Sequence, residues 1–447
     1  MANKIESNPG YPNITNSDDL YARAVKIMHP VTQTLAKGPG QFMKGVAPKY
    51  LKRGKNAHVW DVDGNEYIDY NMGIGPISLG YCYDRVDAAI ANQLKDGITF
   101  SLMSELEVEL AELVHSIIPN AESIRISKTG ADVCSAAIRI ARAFTGRKKV
   151  LCCGYHGWHD WYIGITSRDK GIPEEVKDLT NTFEYNNIET VIQSIDADTA
   201  CVILEPFIFE APKDNFLQKL QEVCKKNGTL LIFDEMWTGF RIALGGAQEY
   251  FKIKPDLAVY SKAFANGMPI SLLTGRKDVM QLFEKDVFFF TTFGGEALSL
   301  AAAIATISEM KEKNVSAALD KKGAFLKDGY NTIAEELGMA SYTKCTGYNC
   351  RSMVTFDASA GDPLLLKSFV QQEMIKRGVL WAGFHNMCFT HSEEDLAYTL
   401  KAYREVLPLL KEAVRENKVA ALLKGEPLET VFRKVSNYNI KPKTVKS

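Results

Sequence analysis

Thr229-Leu-Leu-Ile-Phe-Asp-Glu235 and Leu257-Ala-Val-Tyr-Ser-Lys-Ala-Phe-Ala-Asn-Gly-Met-Pro-Ile270 are two apolar runs that each close on a charge. The first ends at Asp234. The second ends at Lys262 and opens a glycine-containing loop. A charged residue at the end of a buried strand costs desolvation free energy unless it has a partner. Opposite charges at the ends of two successive strands therefore predict one shared polar site.

The same pattern continues outward in both directions. Ser123-Ile-Arg-Ile-Ser127, Lys149-Val-Leu-Cys-Cys153, Ala200-Cys-Val-Ile-Leu204, Leu230-Leu-Ile-Phe233 and Leu257-Ala-Val-Tyr260 read as short strands separated by amphipathic segments. That alternation, from Ser123 to about Thr274, predicts an α/β fold with a mostly parallel sheet and helices on both faces. Upstream, Ala57–Tyr70 alternates around Asp63-Gly64 and predicts a β-hairpin. Helical spacing covers Asp18–Ile27, Val86–Lys95, Glu105–Ile117 and Leu298–Lys311. Beyond about Ala324 the chain returns to an α+β mixture, and the Lys-rich tail Lys434–Ser447 is expected to be poorly ordered.

Bulk composition narrows the function. The 447 residues supply core for two or three domains, and 46% hydrophobic with 24% charged content is that of a soluble globular chain. A net charge of −1 creates no field for nucleic acid or an anionic membrane. The longest apolar stretch, Leu298–Ile307, is too short for a bilayer and is broken by Ser299 and Thr306. The N-terminus, Met1–Gly10, is polar and lacks the apolar core of a signal peptide. The nine cysteines form no Cys-x-x-Cys pair and read as reduced, mostly core residues of a cytoplasmic protein. No metal site is expected: there is no His-Glu-x-x-His motif, and His156 has only His159 nearby.

Two more segments bear on the site. Ser127-Lys-Thr-Gly-Ala-Asp132 lies between a strand and a helix whose Val133, Ala137, Ala141 and Phe144 share one face. Thr129 and Gly130 then stand at a helix N-terminus, where free amides and the dipole favour an anion. A simple N-cap turn is the commoner reading of such a segment taken alone. Tyr155-His156-Gly157-Trp158 follows another strand, where an α/β sheet opens its ligand crevice. Tyr155 is placed to stack on a flat ring, or to pack in an aromatic corner. Glu205, before Pro206, reads as a supporting acid, and Met236 as a ring-packing or core residue. A Schiff-base lysine with an aspartate on the pyridinium nitrogen is the protein's recurring contribution to pyridoxal phosphate chemistry. Lys262 and Asp234 supply that pair.

Leu231-Ile-Phe-Asp-Glu-Met-Trp-Thr-Gly-Phe-Arg241, Gly245–Phe251, Lys254-Pro-Asp-Leu257 and Ser261-Lys262 resemble class III pyridoxal-phosphate aminotransferases. Within them the run most resembles glutamate-1-semialdehyde 2,1-aminomutase. Val59–Tyr70, Ala137–Gly146, Tyr155-His-Gly157 and His391–Asp395 match as well, in order, from about position 30 to 410. The resemblance implies the type I pyridoxal-phosphate transferase fold, with a seven-stranded sheet in a large domain and a small α+β domain from both chain ends. It places an arm and part of the small domain at 1–78, the large domain at 79–323 and the rest of the small domain at 324–447. It also implies a homodimer with active sites at the interface. By match, Lys262 anchors the cofactor, Asp234 meets the pyridine nitrogen and Tyr155 stacks on the ring, with His156 beside it. Thr129 and Gly130 bind the phosphate, and Ala131 replaces a frequent threonine. Thr292 matches a threonine that reaches the neighbouring subunit's phosphate. Its following residues are Gly294-Gly-Glu-Ala297 instead of Ser-Gly-Asn-Pro, and Thr291 is a substitute.

Departures cluster on the substrate side. The aminomutase's carboxylate-gripping arginine is absent from Pro30-Val-Thr-Gln33. A pocket tryptophan is replaced at Ile74, and a glutamate segment becomes Trp381–Cys388. Binding the same carboxylate without that arginine would cost roughly 2–5 kcal/mol. Retained cofactor chemistry with a changed substrate is therefore expected, namely transfer of an amino group from an amino acid donor to an aldehyde or ketone, sugar-like or a semialdehyde. Trp158-His-Asp-Trp-Tyr162 is a candidate pocket lining for such a molecule. An intramolecular aminomutase and a non-catalytic ligand-binding relative are the alternatives. Arg241 and Arg351 are available for a donor carboxylate, although structural roles suit both.

Overall fold

A computed structural model describes residues 10–429; the tail Lys434–Ser447 lies outside the described residues. The chain divides into two compact units. Among the described residues, one comprises 10–83 and 317–429, and the other comprises Asp84–Ser316.

In the first unit, the hairpin forms where alternation predicts it. Leu51–Lys55 (β1), His58–Asp61 (β2) and Glu66–Asp69 (β3) pair antiparallel, with Val59 opposite Tyr67. Asp61 Oδ1 accepts from the amides of Asp63 (3.0 Å) and Asn65 (2.8 Å), which closes the turn. The first helix spans Thr15–Ala24, three residues earlier than its apolar spacing indicates. The cause is tertiary: the carboxylate of Asp63, in the hairpin turn, accepts from the amides of Asn16 (2.7 Å) and Ser17 (3.0 Å) and caps that turn.

The second unit holds a seven-stranded sheet built from Ser123–Ser127 (β4), Lys149–Cys153 (β5), Thr180–Thr182 (β6), Thr199–Leu204 (β7), Leu230–Asp234 (β8), Leu257–Tyr260 (β9) and Ser271–Gly275 (β10). Its order is β4-β10-β9-β8-β7-β5-β6. All ladders are parallel except the two made by β10, which runs antiparallel between β4 and β9. Two of these strands escaped the sequence pattern. Thr-Asn-Thr of β6 is a polar edge strand, and β10 follows a Gly/Pro loop that masks its apolar core. Strands β7 and β8 are buried at every position, as central parallel strands are.

The helix Gly130–Thr145 packs on this sheet through Val133, Ala137 and Ala141, each 0% exposed. Phe144 departs from that face. It stays 38% exposed in the last turn, where the Arg276 guanidinium lies 5.4 Å from its ring. The helix Ala297–Glu312 is buried along most of its length and is capped by the side chain of Glu296.

The chain re-enters the first unit at Ala317 and there adds Thr343–Tyr348 (β11), Arg351–Phe356 (β12), Val379–Leu380 (β13) and Phe384–Asn386 (β14). Strands β11, β12 and β14 form an antiparallel sheet. Strand β13 joins β3 in parallel, so both chain ends share the sheet β1-β2-β3-β13. Among the described residues, no helix is long and apolar enough to cross a membrane.

Candidate active site

The parallel strands of the second unit share one carboxyl edge, and the sequence-derived site residues other than Thr292 close or follow the strands there. Asp234 is the last residue of β8 and is 1% exposed. Its Oδ1 accepts from the Met236 amide at 3.0 Å. Its Oδ2 lies 2.7 Å from His156 Nδ1 and 3.7 Å from Cys134 Sγ. The carboxylate fixes a proton on His156 Nδ1. His156 Nε2 is buried with no hydrogen-bond partner. The imidazole stacks on Trp161, with centroids 6.1 Å and planes 15° apart. His156 therefore orients Asp234. Burial, with Asp234 beside it, holds the Cys134 thiol well above its ordinary range, so it serves as a neutral S–H donor.

Thr129 caps the helix Gly130–Thr145. Its hydroxyl accepts from the Asp132 amide at 3.2 Å, and Asp132 Oδ2 accepts from the Thr129 amide at 2.8 Å. The first-turn amides of Gly130 and Ala131 have no intrahelical acceptor. Two glycines allow the close approaches here. A Cβ on Gly130 would stand 2.9 Å from Met236 Sδ, and one on Gly157 would stand 2.8 Å from Ala131 Cβ. Gly157 also has a φ of +102°, a left-handed conformation that favours glycine.

Lys262 follows β9 by two residues and opens the turn Lys262–Ala265 with a φ of +58°. Val259 of β9 is registered with Asp234, so the aspartate and the lysine leave adjacent strands at one edge. Lys262 Nζ stands 3.8 Å from the centroid of the Trp237 ring. The charge of Lys262 is felt at Cys134 together with those of Asp234 and Glu205. Trp237 itself is anchored: its carbonyl accepts from Arg241 Nε at 3.0 Å, and the Arg241 guanidinium lies 5.5 Å from its ring. Nothing local in the sequence marks Trp237 as the neighbour of a lysine that follows another strand. Nor does anything local mark Cys134 as a partner of Asp234, 100 positions away.

Glu205 is 5% exposed and accepts from the Tyr155 amide at 2.7 Å. Tyr155 is 47% exposed and meets Tyr162 edge-on, with centroids 5.6 Å apart. Glu235, next to Asp234, is wholly buried. Burial pushes its carboxyl up to about 7 against the pull of Thr238 and the amides of Ala247 and Gln248. Thr291 and Thr292 are exposed on a loop that also exposes Phe288, Phe290 and Phe293.

One expectation changes here. Trp161 and Tyr162 do not line a pocket: they are buried, with Trp161 Nε1 donating to Ser135 Oγ (3.0 Å) and Tyr162 OH donating to Gly154 O (2.9 Å). Of the aromatic residues in that stretch Trp158, 71% exposed, faces outward, and Asp160 is exposed beside it. Arg241 is 1% exposed and braces the Trp237 loop. Thr32, Ile74 and Arg351 belong to the other unit.

The donor set has three chemically distinct ends. Open amides and a hydroxyl at a helix N-terminus suit a phosphate. A buried carboxylate fixed by three donors suits a protonated ring nitrogen. An amine at the end of the adjacent strand suits an aldehyde. That set fits pyridoxal phosphate, and the glycines supply the clearance.

Comparison with known proteins agrees. The profile of the family Aminotransferase class-III matches residues 43–391. The 3-aminobutyryl-CoA aminotransferase of Cloacimonas acidaminovorans (strain Evry) is 34% identical over 410 residues, covering 88% of this chain and 98% of that one. The glutamate-1-semialdehyde 2,1-aminomutase of Sulfurihydrogenibium azorense is 34% identical over 403 residues, covering 82% and 93%. Among solved structures, the PLP internal aldimine form of the Sphingopyxis sp. MTA144 FumI protein superposes with a TM-score of 0.83 at 29% identity, covering 93% of this chain and 99% of that one. With its seven-stranded, mostly parallel sheet and second, smaller unit, the chain belongs to the class III aminotransferases, pyridoxal-phosphate-dependent enzymes of the type I fold.

Proposed function

We propose that this chain is a transaminase that moves an amino group from an amino acid donor to an aldehyde or ketone acceptor of the sugar-like or semialdehyde class. The observation that carries the reading is the pairing of a buried, triply hydrogen-bonded Asp234 with Lys262 on the adjacent strand end. Bound here, pyridoxal phosphate supplies an electron sink for the negative charge that develops when a substrate carbon is deprotonated. Thr129, Gly130 and Ala131 would hold its phosphate. Tyr155 and Met236 would pack against its ring, and Glu205 would fix the Tyr155 backbone. Asp234, oriented by His156, would keep the ring nitrogen's proton in place. Lys262 Nζ would take the substrate's proton and return it at the neighbouring position.

Transfer between two molecules is favoured over an internal shift by the residue at position 32. Where the aminomutase has an arginine, Thr32 turns its hydroxyl to the Thr34 carbonyl at 2.8 Å. The 3-aminobutyryl-CoA aminotransferase relative adds β-amino compounds to the donors worth testing. We further propose a homodimer in which Thr292, with Thr291 beside it, reaches the partner's phosphate site. The exposed Phe288, Phe290 and Phe293 around these threonines support an interface there.

The test is the visible spectrum of the protein loaded with pyridoxal phosphate, with donors added one at a time. A yellow band that is absent in Lys262→Ala, and that one donor bleaches until a carbonyl acceptor restores it, is the expected result. A band that bleaches and recovers with a single compound and needs no acceptor would establish the aminomutase reading instead. A protein that takes up no cofactor would overturn both.

A further inference from the structure

We propose that Trp237 is a positioning residue for Lys262, seating the lysine ammonium on its indole whenever that nitrogen is not bonded to a ligand. This rests on the reading of Lys262 as the cofactor lysine. Nζ lies 3.8 Å from the indole centroid. That is well inside the roughly 6 Å reach of a cation–π contact, and tryptophan is the aromatic that makes the strongest one.

The two partners differ in stiffness. The indole rides on a braced loop. Arg241 Nε holds the Trp237 carbonyl, and Glu235 ties the loop to the amides of Ala247 (2.8 Å) and Gln248 (3.0 Å). Gly239 fits against the ring of Tyr260 so closely that a Cβ would not be accommodated. Lysine, in contrast, ends in a flexible four-carbon stem. The indole supplies one seat, on the residue three beyond Asp234 and at the carboxyl edge from which both charges emerge.

The contact has a second consequence. A cation–π contact stabilises the ammonium and not the neutral amine. The amine must lose that proton before its lone pair attacks an aldehyde carbon, and water leaves as the C=N bond forms. The indole therefore positions the nitrogen while holding its proton. Other ionisable groups gathered at this edge are Asp234 on β8, Glu205 after β7, Tyr155 and His156 after β5, Cys134 and Asp132 on the helix Gly130–Thr145, Arg241 on the same loop, and the buried Glu235 and Tyr260. A substitution confined to Trp237 leaves the chemical identity of each of these groups unchanged, and Trp237→Phe keeps an aromatic ring beside Arg241.

The experiment uses the full-length, cofactor-free protein and compares wild type with Lys262→Ala, Trp237→Leu and Trp237→Phe. Tryptophan emission is followed through the lysine titration range. A step in the wild type that is missing from both Lys262→Ala and Trp237→Leu is expected. Superimposable titrations of wild type and Lys262→Ala would overturn the proposal. Next, the rate of pyridoxal phosphate uptake is measured against pH. Trp237→Leu should lower the midpoint by about one pH unit, roughly a tenfold faster uptake on the acid limb, and Trp237→Phe should fall between. An unchanged midpoint in Trp237→Leu, with the fold verified by circular dichroism and by Trp237→Phe, would also overturn it. If the wild type shows the emission step but never takes up cofactor, the proposed function fails while the positioning contact stands.

Discussion

At the scale of single residues, Asp234 is the most constrained group of the site. Three donors converge on it: the Met236 amide, His156 Nδ1 and the Cys134 thiol. The imidazole contributes the short one, at 2.7 Å between fully buried side chains. Hydrogen bonds to charged groups are worth roughly 1.5–3 kcal/mol. His156→Leu should therefore lower kcat about 10- to 100-fold, with a smaller loss of cofactor affinity, because the phosphate contacts stay intact. Steady-state kinetics together with a cofactor titration measure both. Equal losses in the two quantities would mean that His156 holds the cofactor rather than orienting the carboxylate. The pairing of His156 with Asp234 could not be read from the chain, since 78 residues separate them.

At the scale of elements, the decisive contact lies between the loop after β5 and the helix Gly130–Thr145. Gly157, at φ +102°, lies so near Ala131 that any side chain would push the helix N-terminus away. Overpacking of this kind costs roughly 1–3 kcal/mol, with further strain for a β-branched residue in the left-handed region. Gly157→Val should weaken pyridoxal phosphate binding by more than about tenfold and lower the melting temperature, as followed by cofactor titration and by calorimetry of the cofactor-free protein. Unchanged affinity would show that the helix N-terminus does not carry the phosphate. The glycine is conspicuous in the sequence, but its function as a spacer against Ala131 is a property of two elements meeting.

At the scale of the whole molecule, pH acts on the first unit through two buried histidines. His391 Nδ1 accepts from the Cys388 amide at 3.0 Å, and Nε2 donates to the Asp69 carbonyl at 3.2 Å, so its neutral tautomer is built in. Burial lowers His391 to about 4 and His385 to about 3. The unfolded chain takes up these protons near pH 6.5, long before the folded chain does. The stabilising contribution is complete above that value and is lost as pH falls toward 4 and then 3, at up to about 1.4 kcal/mol per pH unit for each histidine. His58 acts in the opposite sense. Burial disfavours its charge, but Asp395 and Glu66 raise it, so its contribution is lost as pH rises. Urea midpoints measured from pH 7 to 4.5 should fall more steeply in wild type than in His391→Asn. Parallel slopes would show that His391 is protonated inside the folded protein.

The sequence by itself determined the α/β class, the strands β4, β5, β7, β8 and β9, and the charged residues at their ends. Those features are local: apolar runs, their length and the residue that terminates each are written consecutively in the chain. Pairings across the chain are not. Only the tertiary structure decided that β10 runs antiparallel between β4 and β9, that Asp63 moves the first helix start to Thr15, and that Phe144 leaves the core face of its helix. It likewise decided that Trp161 and Tyr162 pack in the core, and that Trp237 stands under Lys262. Each of these depends on a partner distant in sequence, and hydrophobic periodicity reports which side of an element is buried without saying what it is buried against.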